Sequence, residues 1–181
     1  MNKIPNHTAL KEWSAVIDAL AHGRQIVLIR KGGIADPKFG VEADRFYLYP
    51  TFFHQAEGVE PTEVTIGYWA EVVKTWRISE QEWLYRLEPH VVMPRETLDA
   101  RYRFRPDQAL YVIAVRTFAL AASVTVPVKK EYLGCRSWVS VDEEIDVDGS
   151  RAAMMDSQLN DRIAAIDALL TPSSAAAAAL S

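Results

Sequence analysis

Little in this sequence declares a function outright. Its 181 residues include one cysteine, Cys135, so no intrachain disulfide can form and a reducing, cytoplasmic setting is expected. No apolar run approaches the ~18 residues that a membrane span needs. The start, Met1-Asn2-Lys3-Ile4-Pro5, has none of the apolar core of a signal peptide. Basic residues are in the minority, 20 Lys and Arg against 24 Asp and Glu, and a net charge of -4 excludes a bulk polycation that coats nucleic acid. Missing too are G-x-x-x-x-G-K-[ST], H-E-x-x-H, C-x-x-C and H-x-H. Spacing therefore points to neither a phosphate loop nor a metal centre, and no metal or cofactor is expected.

Two partial motifs fail on inspection. Glu144-x-Asp146-x-Asp148-Gly149 imitates the opening of a calcium loop, but its twelfth position is Met155, where a bidentate glutamate is required. A nuclease of the PD-(D/E)XK kind needs an acid and a lysine two apart on a strand. Glu71 and Lys74 are three apart, and Asp36-Pro37-Lys38 sits in a loop.

What is present suits one soluble domain with a C-terminal appendage. A hydrophobic content of 49% is ordinary for a globular protein, and a chain this long needs no staples to fold. The spacing of Leu10, Trp13, Val16, Ile17 and Leu20 predicts a first helix capped by Thr8, with Gly23 as its left-handed stop. Gln25 to Ile29 reads as a buried strand broken by Gly32-Gly33, and residues 34–44 as a loop. Arg45 to Tyr49 alternates, with Phe46 and Leu48 on one face and Tyr47 and Tyr49 on the other. Val64 to Ile78 is a long strand with a bulge at Gly67, of the kind that curls across two layers in small barrels. Ser79-Glu80-Gln81-Glu82 starts a mid-chain helix with Leu84 and Leu87 inward, stopped by Pro89.

Leu98 to Arg105 alternates apolar and polar, and with Leu110 to Leu120 it predicts a closing hairpin. Val124–Val128 and Ser137–Val141 read as two short strands. A last helix begins at Ser150, with Met155, Leu159, Ile163, Ile166 and Leu170 as its stripe. The expectation is α+β, with a mixed, mostly antiparallel, barrel-like sheet and an N-terminal, a mid-chain and a C-terminal helix. Residues 8–142 would form the domain, 143–149 an acidic linker, 150–170 the amphipathic helix and 171–181 a low-complexity tail.

Candidate site residues cluster at strand ends. The turn Arg30-Lys31-Gly32-Gly33 offers two cations and backbone N–H groups to a phosphate, although a solvated turn is its plainer reading. Beyond the strand that Arg45 opens lie Thr51, His54 and Gln55, a polar group able to recognise a substrate; a lone histidine more often satisfies a backbone group. On a strand, Arg101, Arg103 and Arg105 would share one face about 7 Å apart, near a nucleic-acid phosphate repeat. A basic row of this kind also guards ordinary sheet edges.

The segments ALKEWSAVIDAL, GRQIVLIRKGGI, FYLYPTFFHQ, LYVIAVRTFAL and YLGCRSWVSV resemble an uncharacterised bacterial family, domain of unknown function 1802, over roughly residues 8–142. Tyr49-Pro50-Thr51 replaces the commoner Phe-Pro-Thr. The resemblance implies no activity, only a link through domain association to restriction–modification systems. A second resemblance is to barrels of the PUA and ASCH type, which carry G-x-K-x-x-E-x-R entering the first strand. Gly23 and Arg30 match its ends, while Gln25 and Leu28 replace the lysine and glutamate.

Three functions are compatible with these residues. The first is a module binding nucleic acid or a nucleotide through Arg30, Lys31, Gly32, Gly33, Arg45, Thr51, His54, Gln55, Arg101, Arg103 and Arg105. The second is a metal-dependent hydrolase or nuclease with His54 or Glu71 as base. The third is a non-catalytic partner protein, a homo-oligomer through the C-terminal helix. No membrane partner is expected.

Overall fold

The computed structural model describes residues 4, 7–31, 44–51, 61–133 and 137–170. Along them run β1 (Thr8–Trp13), α1 (Ser14–Ala21), β2 (Val27–Lys31), β3 (Arg45–Thr51), β4 (Glu63–Ile78), α2 (Gln81–Arg86), α3 (Arg95–Arg103), β5 (Leu110–Pro127), β6 (Trp138–Ser140), β7 (Arg151–Ala152) and α4 (Asp156–Leu170). The strands form one sheet in the order β2-β5-β4-β3-β1-β6, with β7 beside β5. Among the described residues, only the β1–β3 pair is parallel.

The spine is the β4–β5 pair, 16 and 18 residues long. Its register shifts between Ile66 and Tyr68, at Gly67, and again between Val72 and Lys74. Such irregularities bend and twist a ribbon, which lets one pair serve both layers of the core. The expected bulge at Gly67 is therefore observed. So is the left-handed turn after α1, where Gly23 has φ +63° and an added Cβ would meet Met154 Cε at 3.1 Å.

Three expectations are corrected. The sheet is not a barrel: its edges, β2 and β6, do not pair with each other among the described residues. The segment expected to help close it, 98–105, belongs mainly to helix α3, and the hairpin partner of β5 is β4. Arg95, Glu96, Leu98, Ala100, Arg101 and Arg103 all favour helix. Glu96 in the first turn and Arg101 and Arg103 in the last complement the helix dipole. Local propensity thus wins over a short alternation. Thr8–Trp13 is likewise a strand ahead of a shorter helix, because its backbone is claimed on both sides, by β3 and by β6.

Alternation along the strands makes two cores. Leu10, Leu28, Phe46, Leu48, Ala70 and Val112 lie in the first, under α1, Leu84, Leu87, Leu98 and α4. Ala9, Tyr47, Tyr49, Ile66, Trp69 and Val126 lie in the second, covered by Ile4, Tyr132, Val139, Val141, Ile145 and Val147. Of the acidic stretch 142–148, Ile145 and Val147 are thus core residues. Tyr47 Oη donates to the Ile145 carbonyl at 2.6 Å and accepts from the Ile4 N–H at 3.2 Å. Tyr49 and Tyr132 meet edge to face with centroids 5.9 Å apart. Burial pushes the Tyr49 hydroxyl up to about 12, helped by Tyr132 and Glu143 nearby.

The apolar stripe of α4 is used within the chain: Leu159, Ile166 and Leu170 are buried in the first core. Asp167 accepts from Lys74 Nζ at 2.7 Å and Trp76 Nε1 at 2.8 Å, holding the helix to β4.

Two outcomes are expected. Ile166→Ala removes buried methyl groups from the α4 contact and should cost about 2–5 kcal/mol in urea denaturation. Tyr49 holds its proton more tightly folded than unfolded, so its contribution is complete below pH 10 and is lost as pH rises towards 12. Unfolding free energy should fall across that window, and fall less in Tyr49→Phe.

Candidate ligand site at the β1–β2 seam

On β1 and β2 the period of two carries an apolar face into charge. Glu12 follows Leu10 on the same face, and Arg30 follows Leu28. Both side chains therefore enter the end of the first core. Glu12 is 1% exposed, and the Arg30 and Arg101 side chains 13% and 19%. Among the described residues, β1 and β2 share no ladder here. The β6 ladder with β1 runs to Leu10, the Lys11 N–H still donates to the Ser137 carbonyl at 2.8 Å, and beyond it side chains meet the described strand ends. Arg30 Nη2 donates to the Lys11 carbonyl at 2.6 Å, and Arg101 Nη1, from the last turn of α3, donates to the Ile29 carbonyl at 2.5 Å.

Glu12 sits between the two guanidinium groups. Its Oε1 accepts from the Trp13 N–H at 2.9 Å and from Arg101 Nη2 at 3.3 Å. Its Oε2 lies 3.7 Å from Arg30 Nη1, an ion pair too long for a hydrogen bond. Oε2 and Arg30 Nε are both buried without a hydrogen-bond partner. Desolvation lowers the Arg30 pKa, Glu12 raises it, and Arg101 lowers it again. The Arg101 guanidinium also lies 5.2 Å from the Trp13 ring centroid.

Other predicted residues fall around this seam or away from it. Lys31 donates to the Tyr102 carbonyl at 2.8 Å, which places it against α3. Thr51 pairs with Trp13 in the parallel ladder, so the end of β3 adjoins the end of β1 that Arg30 reaches. Arg101, Arg103 and Arg105 do not form a row along a strand face. Arg101 turns inward, whereas Arg103 and Arg105 are exposed, and Arg105 has φ +46° with its guanidinium 5.1 Å from the Phe104 ring centroid. Arg45 and Glu71 pair with each other at 3.2 Å, beside Trp69 of the second core. They therefore belong to the face opposite Glu12 and Arg30. Gly32, Gly33, His54 and Gln55 lie outside the described residues. Among the described residues, no group of three or more His, Cys, Asp and Glu is placed to hold a metal ion.

Sequence reasoning passes over Glu12. In a helix starting at Thr8 it falls off the Leu10–Trp13–Val16–Ile17–Leu20 stripe and looks solvated. Only a strand reading of 8–13 puts it behind Leu10.

An α+β architecture built on an open, mostly antiparallel sheet, with buried charges at its unlaced seam, is the class to which this chain belongs. Within that class its family is defined: the model described as Domain of unknown function (DUF1802) matches residues 9–165, and the chain is a member of that family. No curated protein matches the sequence. Among solved structures it is distantly similar to ZmASCH from Zymomonas mobilis. A mutant form is 9% identical, with 91% of this chain and 99% of that chain covered and a TM-score of 0.48. The unmutated form is 11% identical, with 87% and 93% covered and a TM-score of 0.46.

Glu12→Ala should be strongly destabilising, by about 3–5 kcal/mol, because it leaves two guanidinium groups buried without their anion. Glu12→Gln should lose less, since its carbonyl can still accept from the Trp13 N–H. Guanidinium denaturation of the three proteins checks the order.

Proposed function

We propose that this protein binds a nucleotide or a nucleic-acid strand at the β1–β2 seam. The observation that carries the reading is a local excess of positive charge in a chain of net charge -4. Arg30, Arg101 and Lys31 gather at the strand ends, where Glu12 is the carboxylate that the two arginines share. Arg103, Phe104 and Arg105 extend this surface outward from the end of α3, with Phe104 56% exposed. Guanidinium groups suit phosphate through their fixed fork of donors. An exposed ring between two arginines suits a base, since stacking tolerates any sequence. The inner residues hold the ligand's buried end and the outer ones follow its backbone.

The hydrolase reading has less support, because Glu71 is engaged with Arg45 on the other face of the sheet. Docking through α4 has less as well, because Leu159, Ile166 and Leu170 of its stripe are buried in the chain's own core, although Met155 just ahead of the helix is exposed.

Binding should appear at low salt as a polarisation change of a short labelled single-stranded oligonucleotide, and weaken steadily as salt rises. Replacing both Arg103 and Arg105 by alanine should leave the fold intact, because both are exposed. It should reduce the slope of log affinity against log salt by up to about 2, roughly one per lost phosphate contact. Absence of binding at low salt overturns the proposal.

A further inference from the structure

The ring at the end of α3 narrows the class of ligand, and this inference rests on the binding reading above. Phe104 is 56% exposed. Among the described residues, the other large apolar side chains this open to water are Val73, Val92, Leu133 and Met155, none of them aromatic. The position of Phe104 is fixed from both sides. Its N–H donates to the Ala100 carbonyl at 3.0 Å, and the next residue, Arg105, has φ +46° and accepts from the Gln108 N–H at 2.9 Å. A positive φ is uncommon for a residue with a side chain, and it persists only where the surroundings hold it. The Arg105 guanidinium lies over the ring, 5.1 Å from its centroid and within cation–π reach. The ring is therefore backed by a cation and still presented to water.

Scale decides what fits here. One aromatic side chain offers roughly 150–250 Å², whereas a specific protein interface needs about 800 Å² on each partner. The neighbours of Phe104 in the chain, Arg103 and Arg105, are charged and exposed, so the ring is not part of a wider apolar patch. A single planar ring with a phosphate to either side matches it in size and in charge. Charge alone discriminates little, because Asp107 offsets one of the two arginines in Arg103-Phe104-Arg105-Pro106-Asp107 and leaves one net positive charge. The ring must then choose among nucleic acids. In a duplex both faces of each base are covered by stacked neighbours, and opening one step costs unstacking energy. In a single strand a face is available without that cost.

We infer that Phe104 selects an unpaired base, so that the site takes a single strand and discriminates against a duplex. The base stacks on the ring away from Arg105, and Arg103 and Arg105 meet the phosphates on either side. Arg105 can do both, since a planar guanidinium stacks on a ring while its N–H groups donate to phosphate in its own plane.

Three labelled probes separate the possibilities when titrated with the full chain: a single-stranded oligonucleotide, a duplex of the same length, and a base-free strand with the same phosphates. The single strand should bind at least about fivefold more tightly than either of the others, the least that stacking one base on an aromatic ring contributes. Charge alone predicts the reverse order for the duplex, whose phosphates are denser. Phe104→Ala should bring the single strand down to the level of the base-free strand, and Phe104→Trp should keep the preference. Circular dichroism checks that both variants are folded. If the single strand does not bind at low salt, the binding reading above fails and this inference with it. If it binds, but the duplex or the base-free strand binds as tightly, or the preference survives in Phe104→Ala, the surface is a phosphate contact only and this inference alone is overturned.

Discussion

The molecule depends on a carboxylate that stands where backbone pairing stops. β1 has β3 on one side along its length, but on the other side the backbone bonds of the described residues run only as far as the Lys11 N–H, which donates to the Ser137 carbonyl. Past that point the carbonyl of Lys11 is met by Arg30, and the carbonyl of Ile29 on β2 by Arg101. Two guanidinium groups this close repel, and taking them out of water costs several kcal/mol each. Glu12 makes the arrangement tenable by lying between them. The electrostatics accordingly connect β1, β2 and α3, three elements that no common ladder joins. Arginine suits both positions better than lysine, because each must reach a carbonyl and a carboxylate with separate N–H groups of one planar fork.

Much of the architecture was legible because hydrophobic period and turn chemistry agreed. Gly23 followed an apolar stripe, Gly67 interrupted a long β-forming run, and Phe46 and Leu48 alternated with Tyr47 and Tyr49. Each meant the same thing in local and tertiary terms. The misread elements are those where the two levels conflict. Leu98-Asp99-Ala100-Arg101-Tyr102-Arg103-Phe104-Arg105 alternates like a strand, yet it begins among strong helix formers just after Pro94. The alternation is incidental, and only Leu98 of α3 is fully buried. Leu110–Pro127 was divided into a strand and a separate short one because Ala121, Ala122 and Ser123 lower its β character. The paired β4 carries the ribbon through regardless.

The candidate site was half legible, and for mixed reasons. Arg30 and Lys31 were identifiable from the basic turn at a strand end, and Thr51 from the polar run after the next strand. Arg101 was singled out from a strand that does not exist; it reaches the seam from a helix end instead. Glu12 left no signal, since a single glutamate in a helix-like window looks solvated. It becomes conspicuous only when burial is known, because a charge at 1% exposure demands a partner. The absence of that demand from sequence is general. Composition records that a charge is present, not whether water can reach it.

The same atoms therefore serve as clasp and as candidate binding site, and this has a consequence for how such a seam works. A purely structural clasp would be expected to satisfy every donor and acceptor, because a half-satisfied buried network is worse than an apolar one. Here Oε1 accepts two hydrogen bonds, while Oε2, in its ion pair with Arg30 Nη1, and Arg30 Nε have no hydrogen-bond partner among the described residues. The unsatisfied half lies where the β1 end adjoins those of β2 and β3, beside Trp13 and Thr51.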